Sequence, residues 1–301
     1  MKYFLIVYNR HLGQIMELRE YADSQRERAL KDRFTRELEE QTHPEIEVVL
    51  LSAESRVALE KTHSRYFKTL GELAEPFPTE TQKLDFSFME VTARPSATTF
   101  QSVPLVRLRE AMEKSEIRTF GWPIAAVIAT PDWEPKPVKD GIEARITDEG
   151  HRDHWILKRS GEFYFIGELF ENNRQPTHVF LDTRTNRIAE SFMRVAKMYA
   201  ILGVPNDEII NFSIKHGNIK GKILGFGNPA RILFPTQRIS NVNEVTTKFS
   251  VGLLEMLEVP KLKEHVHAAV RDLAEMFAMF DADKVGFTDP IVEAFVAGHV
   301  I

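Results

Sequence analysis

Apolar positions follow two periods along this chain, and the change from one to the other divides it into elements. "KYFLIVYNR" (Lys2 to Arg10) is rich in β-forming residues and predicts a buried strand. Gly13 turns the chain into "QIMEL", its expected hairpin partner. Asp23 and Ser24 are the candidate N-caps of a helix running to about Gln41, with Leu30, Phe34 and Leu38 on one face. Thr42-His43-Pro44 ends it. "IEVVLLS" (Ile46 to Ser52) predicts a second buried strand. "RVALEKTHSRYFKTL" predicts a second helix, with Leu59, Tyr66, Phe67 and Leu70 as its apolar side. The expectation is a ββαβα unit over residues 1–72, with helices packed on one sheet face.

"GELAEPFPTETQ" (Gly71 to Gln82) has two prolines and no period, and reads as a linker. Beyond it, Leu84, Phe86 and Phe88 alternate with Asp85 and Ser87 as in a half-buried strand. A helix follows from Pro104, and "WPIAAVIAT", apolar on both parities, predicts a central strand. After the proline-rich loop 131–141 come four strand-like runs: "IEARIT", "DHWILKR", "EFYFIGELF" and "HVFLD". A hairpin is expected at Ser160-Gly161. Ile188, Phe192, Val195, Tyr199 and Leu202 follow helical spacing up to Gly203 and Pro205. "EIINFSIKH" predicts a strand. "TKFSVGLLEMLE" and "PKLKEHVHAAVRDLAEMFAMF" predict helices, the second with a stripe of Leu262, Val266, Ala269, Leu273 and Phe277. The whole reads as an α+β fold: a small domain over 1–72 and a mixed-sheet domain with C-terminal helices over 83–301.

Composition narrows the classes. Apolar residues make up 43% of 301 residues and 21 are phenylalanine, enough for an extensive core and against disorder. The net charge of −5 argues against a protein that coats nucleic acid over its whole surface, so any polyanion site must be local. With no cysteine there are no disulfides, thiolate metal sites or thiol nucleophiles. The opening apolar run ends at Tyr8-Asn9-Arg10-His11, too early for a secretory signal, and the later runs are too short to span a bilayer. The expected setting is the cytoplasm, without a membrane partner.

Charge is unevenly spread. From Ile209 to Asn243 there is no acidic residue, while Lys215, Lys220, Lys222, Arg231 and Arg238 are cationic. His216 lies among them. Gly217, Gly221, Gly225 and Gly227 would let backbone N–H groups approach an anion closely. The functional expectation is a phosphate or nucleic-acid contact by Lys215, His216, Gly217, Lys220, Gly221, Lys222, Arg231 and Arg238. The plain alternative is a hairpin whose glycines serve turns and whose lysines keep a sheet edge soluble. "GNIKGKI" is not a Walker A loop, since its glycine spacing is one short and isoleucine stands where the hydroxyl belongs. "LGFGNPAR" echoes an RNA-recognition strand, but Pro229 cannot donate to a central ladder.

Other clusters are weaker. His151, Asp153 and His154 in "HRDHW" would suit a divalent metal, with His178 or Asp182 from a neighbouring strand; strand alternation sends the two histidines to opposite faces. "DADKVGFTDPIVE" has EF-hand spacing at Asp281, Asp283, Gly286 and Asp289 but lacks the closing glutamate. Arg187 and Arg194 flank Glu190 on one helix side, which a salt-bridged exposed face explains. Trp122 and Trp155 read as core, and Trp133 as the exposed aromatic. There is no G-x-S-x-G or H-E-x-x-H, and no cofactor is expected.

"FGWPIAAVI", "DHWILKRSGEFYFIGELFE", "FLDTR", "YAILGVP" and "IKHGNIKGKIL" together resemble the C-terminal region of bacterial proteins that carry a schlafen-type, AlbA-like nucleic-acid-binding domain. The resemblance covers about Phe120 to Arg231. The AlbA-like domain itself is absent, and the N-terminal unit stands in its place. The resemblance implies nucleic-acid-associated systems, defence against mobile elements among them, and carries over no catalytic residue. The expected function is therefore a non-catalytic nucleic-acid-associated binding protein with protein partners. The alternatives are a metal-dependent hydrolase or nuclease centred on His151, Asp153 and His154, or a scaffold subunit docking through its N-terminal domain.

Overall fold

A computed structural model describes residues 1–9, 14–43, 45–56, 58–59, 84–98, 100, 103–148, 151–228, 236–282 and 286–299. The expected linker, most of the second N-terminal helix, Gly13 and Arg231 lie outside the described residues. The chain divides into two compact units, Met1–Gln82 and Lys83–Ile301.

In the first unit, β1 (Lys2–Asn9) sits between β2 (Gln14–Ala22) and β3 (Ile46–Ala53), antiparallel to both. The alternation within β1 sorts its side chains. Phe4, Ile6 and Tyr8 pack with Ala53 and Leu59 on one face, and Leu5 packs with Tyr21 and Ala29 on the other. Helix α1 (Arg26–Glu39) follows a 3₁₀ turn over Asp23–Gln25. Asp23 and Ser24 do not cap it; the Ala22 N–H instead donates to Gln25 Oε1 at 3.0 Å.

The second unit is an α+β fold on a seven-stranded sheet in the order β12-β10-β4-β8-β7-β6-β5. These are β4 (Phe88–Pro95), β5 (Lys136–Val138), β6 (Gly141–Asp148), β7 (His151–Lys158), β8 (Phe163–Glu168), β10 (Ile209–Gly217) and β12 (Glu244–Gly252). Their pairings within the sheet are all antiparallel. A separate parallel pair joins β9 (His178–Phe180) to β11 (Ile223–Gly225). Helices α2 (Leu105–Lys114), α3 (Glu171–Arg174), α4 (Leu181–Leu202), α5 (Val259–Glu275) and α6 (Thr288–Val296) complete it. α4 is the core helix: its Phe192 ring stacks on Phe212 of β10 at 4.4 Å. The αL residue Gly203, at φ 84°, ends α4 as expected. No helix of the described residues is long and apolar enough to cross a membrane.

Three predicted elements differ. "TKFSVG" is strand, not helix, because β12 finds nine residues of antiparallel ladder along β10. β4 begins only at Phe88: the Leu84 and Phe86 carbonyls accept from Asn218 Nδ2 and so are diverted from a ladder. "WPIAAVIAT" is irregular rather than a central strand. Its backbone groups bond side chains, with the Ile124 N–H donating to Glu190 (2.7 Å) and the Val127 N–H to Glu116 (2.6 Å). The Ala125 carbonyl accepts from Arg194, and that of Ala126 from the Trp155 indole.

Candidate functional site

Strand register lines up one row across the sheet: His216 on β10, Met89 on β4, Gly167 on β8, Asp153 on β7 and Ile146 on β6. This row shares its face with Phe212, the face that α4 covers. The row one residue over carries Lys215, Glu90, Ile166, His154 and Arg145 on the opposite face. The pleat therefore separates His154 from Asp153 and Lys215 from His216.

At the Asp153 end of the first row lies a small cleft open to solvent. Its polar lining is Asp153, His151, Glu168, Arg184, Arg187 and Trp122; Met89, Phe165 and Phe170 supply apolar walls. Asp153 is only 9% exposed. Its Oδ2 accepts from the Trp122 indole at 2.9 Å, and a Cβ on Gly167 would stand 2.6 Å from Oδ1. Burial pushes the Asp153 carboxyl up to about 6, against the opposing pull of the Trp122 bond and Arg187. The His151 ring stacks on Trp122 with centroids 4.4 Å apart, and burial followed by Arg187 lowers its pKa. Glu168 is held by Arg152 at 3.1 Å and Asn172 at 3.2 Å.

The walls are fixed by buried charges on α4. Arg184 donates through Nε (2.9 Å) and Nη2 (2.8 Å) to fully buried Glu171, a bidentate fork. Arg187 Nη1 donates to Glu190 and to the Trp122 carbonyl, both at 2.6 Å. With the Glu190 bond to Ile124, these contacts fasten the irregular loop 121–127 to the helix and hold Trp122 at the cleft. Arg187 pairs with Glu190 as expected, but Arg194 donates to the Met112 and Ala125 carbonyls instead, and Glu190 and Arg194 are buried rather than on an exposed helix face.

The chain matches no family model, no curated protein and no solved structure.

The basic window is dispersed. Lys215 Nζ pairs with Glu244 at 2.7 Å. His216 is 2% exposed, its Nε2 has no hydrogen-bond partner among the described residues, and burial beside Arg184 pushes its pKa down to about 3. A Cβ on Gly217 would fall 2.2 Å from the Phe88 ring, so that glycine admits an aromatic side chain rather than an anion. Lys222 donates to the Pro176 carbonyl and Arg238 to that of Ala278. Lys220 and Gly221 are exposed, with Gly221 at φ 77°. The Gly227 and Asn228 amides do bind an anion, but it is the chain's own: Asp182 Oδ1 and Oδ2 accept from them at 2.8 and 3.0 Å.

The metal reading of "HRDHW" fails geometrically, because His154 faces away from the cleft and bonds Glu143 at 3.1 Å. Among the described residues no group of three histidines or carboxylates is placed to hold a metal. Asp289 of the EF-hand-like run bonds His267 at 2.7 Å, within an ion-paired surface. Gly167 and Glu168 carry no signal in the sequence, and Trp122, expected in the core, is half-buried and lines the cleft instead. Pro123, which cannot donate inside a central strand, was the available signal that "WPIAAVIAT" is a loop.

Proposed function

We propose that the C-terminal unit binds a small polar ligand in the cleft, with the Asp153 carboxylate as its hydrogen-bond acceptor and proton-exchange partner. The observation that supports this reading is the seat of that carboxylate. It is withdrawn from water, fixed by one indole bond, and fitted against a glycine that leaves no room for a methyl group. Such a seat does little for stability, since an incompletely paired buried charge costs several kcal/mol. It suits a group kept for recognition or proton transfer. Arg184 and Arg187 are already paired with glutamates, so the cleft offers acceptors and an aromatic stack. Donor-rich ligands, such as amines, guanidinium compounds or purine bases, fit that chemistry. The test is thermal stabilisation by a panel of these three classes. A member that raises the melting temperature of the protein but not of Asp153→Asn is expected; a panel in which nothing discriminates between the two proteins refutes the assignment.

Nucleic-acid contact through the segment Ser213–Arg231 is the second reading. It is favoured by the exposed Lys220 and Gly221 turn inside a window without acidic residues. Fluorescence anisotropy with labelled single- and double-stranded oligonucleotides tests it. Affinity that falls steeply between about 50 and about 200 mM salt, and by about tenfold in Lys220→Glu, is expected. Equal affinity in that variant removes the segment from consideration.

A further inference from the structure

Helix α1 is mounted with its polar side on its own sheet. Of its fourteen residues Ala29 is the one buried. The contacts seating it are otherwise polar, with Tyr21 Oη donating to Asp32 at 2.9 Å and Arg36 pairing with Glu17 at 3.1 Å. The apolar stripe at i, i+4 and i+8 faces outward, with Leu30 46%, Phe34 63% and Leu38 55% exposed. Among the described residues, a helix in this orientation leaves the hydrophobic contribution of its best apolar residues unrealised.

Its charges add a second observation. The half before Phe34 carries Arg26, Arg28, Lys31 and Arg33 against two acids, Glu27 and Asp32. The half after it carries Glu37, Glu39 and the flanking Glu40 against Arg36 alone. Cations near the N-terminus and anions near the C-terminus oppose the helix macrodipole, so this order is unfavourable in the helix alone. Against a reversed copy of the same helix it becomes favourable, because each half meets the opposite sign.

We propose that α1 is a self-association face on which two copies of this chain pair antiparallel, Phe34 against Phe34 on the two-fold axis and Leu30 against Leu38 of the second copy. An isologous contact of this kind is self-complementary. With three apolar side chains per copy it lies well under the ~1,200 Å² of a standard interface, so the dimer is weak and concentration-dependent.

Because the chain has no cysteine, single cysteine variants of the full chain read the geometry directly. Phe34→Cys is expected to form a disulfide-linked dimer under mild oxidation. Leu30→Cys alone is not: in the antiparallel pair its two copies stand about 12 Å apart along the axis, beyond the ~7 Å reach of a disulfide. Leu30→Cys mixed with Leu38→Cys is expected to give the mixed dimer. In sedimentation velocity the dimer fraction should rise with concentration and vanish in Phe34→Lys. A chain that stays monomeric at all concentrations, with its stripe covered by another part of itself, overturns the proposal. So does self-linking by Leu30→Cys as ready as that by Phe34→Cys, which would mean a parallel or non-specific contact.

Discussion

Replacing Asp153 by asparagine keeps the side chain's shape and removes its charge, which isolates the consequence of burying a carboxylate at the cleft. Its pKa is raised from 3.8 to about 6, with burial the largest cause. A raised acid favours the fold while it is protonated: the contribution is complete below 3.8 and is lost as pH climbs through about 6. That interval corresponds to about 3 kcal/mol. The stability of the protein minus that of Asp153→Asn should therefore fall by about 3 kcal/mol between about pH 4 and about pH 7, then level off. The difference is the quantity to read, because burial also raises Glu90 and Glu190 and tilts the absolute curve the same way. All three tryptophans lie in the C-terminal unit, so urea unfolding followed by tryptophan fluorescence reports that unit alone. A difference independent of pH would mean that Asp153 ionises as an ordinary hydrated aspartate, and the proton-exchange role assigned to it would fail with it.

Further outcomes follow from the same geometry. Gly167→Ala places a Cβ 2.6 Å from Asp153 Oδ1 and 2.5 Å from the Phe165 ring; a loss of about 1–3 kcal/mol in the same urea assay is expected. Glu171→Gln leaves Arg184 buried without its counter-charge and should cost about 3–5 kcal/mol. Lys215→Ala, by contrast, removes a partly exposed ion pair and should cost less than about 1 kcal/mol. Asp182→Ala removes the acceptor of the Gly227 N–H, and hydrogen exchange at Gly227 should accelerate while that of β10 amides stays unchanged.

Much of the fold was legible because period alone fixes it. β1, β6, β7, β8 and β10 announce themselves by β-rich apolar runs, and α5 by its stripe, since each bonds its backbone in a regular ladder or helix and buries apolar side chains in a standard way. The misreadings share one cause, which is a backbone hydrogen bond whose partner is distant in sequence. "WPIAAVIAT" is apolar enough for a strand, but its amides and carbonyls go to Glu116, Glu190, Arg194 and Trp155. Pro123 is the local sign against a central strand, but nothing local names those partners. The same holds for the cleft. Asp153 was noticed, but for a metal; its actual neighbours come from β8, from a loop 31 residues earlier and from α4. Helix α1 is the reverse case. Its stripe was evident, and the side on which it faces is decided by Ala29 and by polar contacts to Tyr21 and Glu17 that no periodicity reveals.

The window without acids is where the sequence points most directly to an anionic visitor, and the fold answers most of that demand internally. Glu244 takes Lys215, Asp182 takes the amides of the glycine turn, and backbone carbonyls take Lys222 and Arg238. A run can lack acids because its counter-charges arrive from α4 and β12, elements folded against it, so the asymmetry along the chain is largely cancelled in space. The cleft shows the opposite relation. The run around Asp153 looks balanced, with cations and carboxylates mixed, yet folding strips Asp153 of water and gives it one indole donor and, among the described residues, no ion pair. Capacity to recognise a ligand resides in groups that folding leaves incompletely satisfied. By that measure Asp153 outranks every cation of the basic window that the described residues contain.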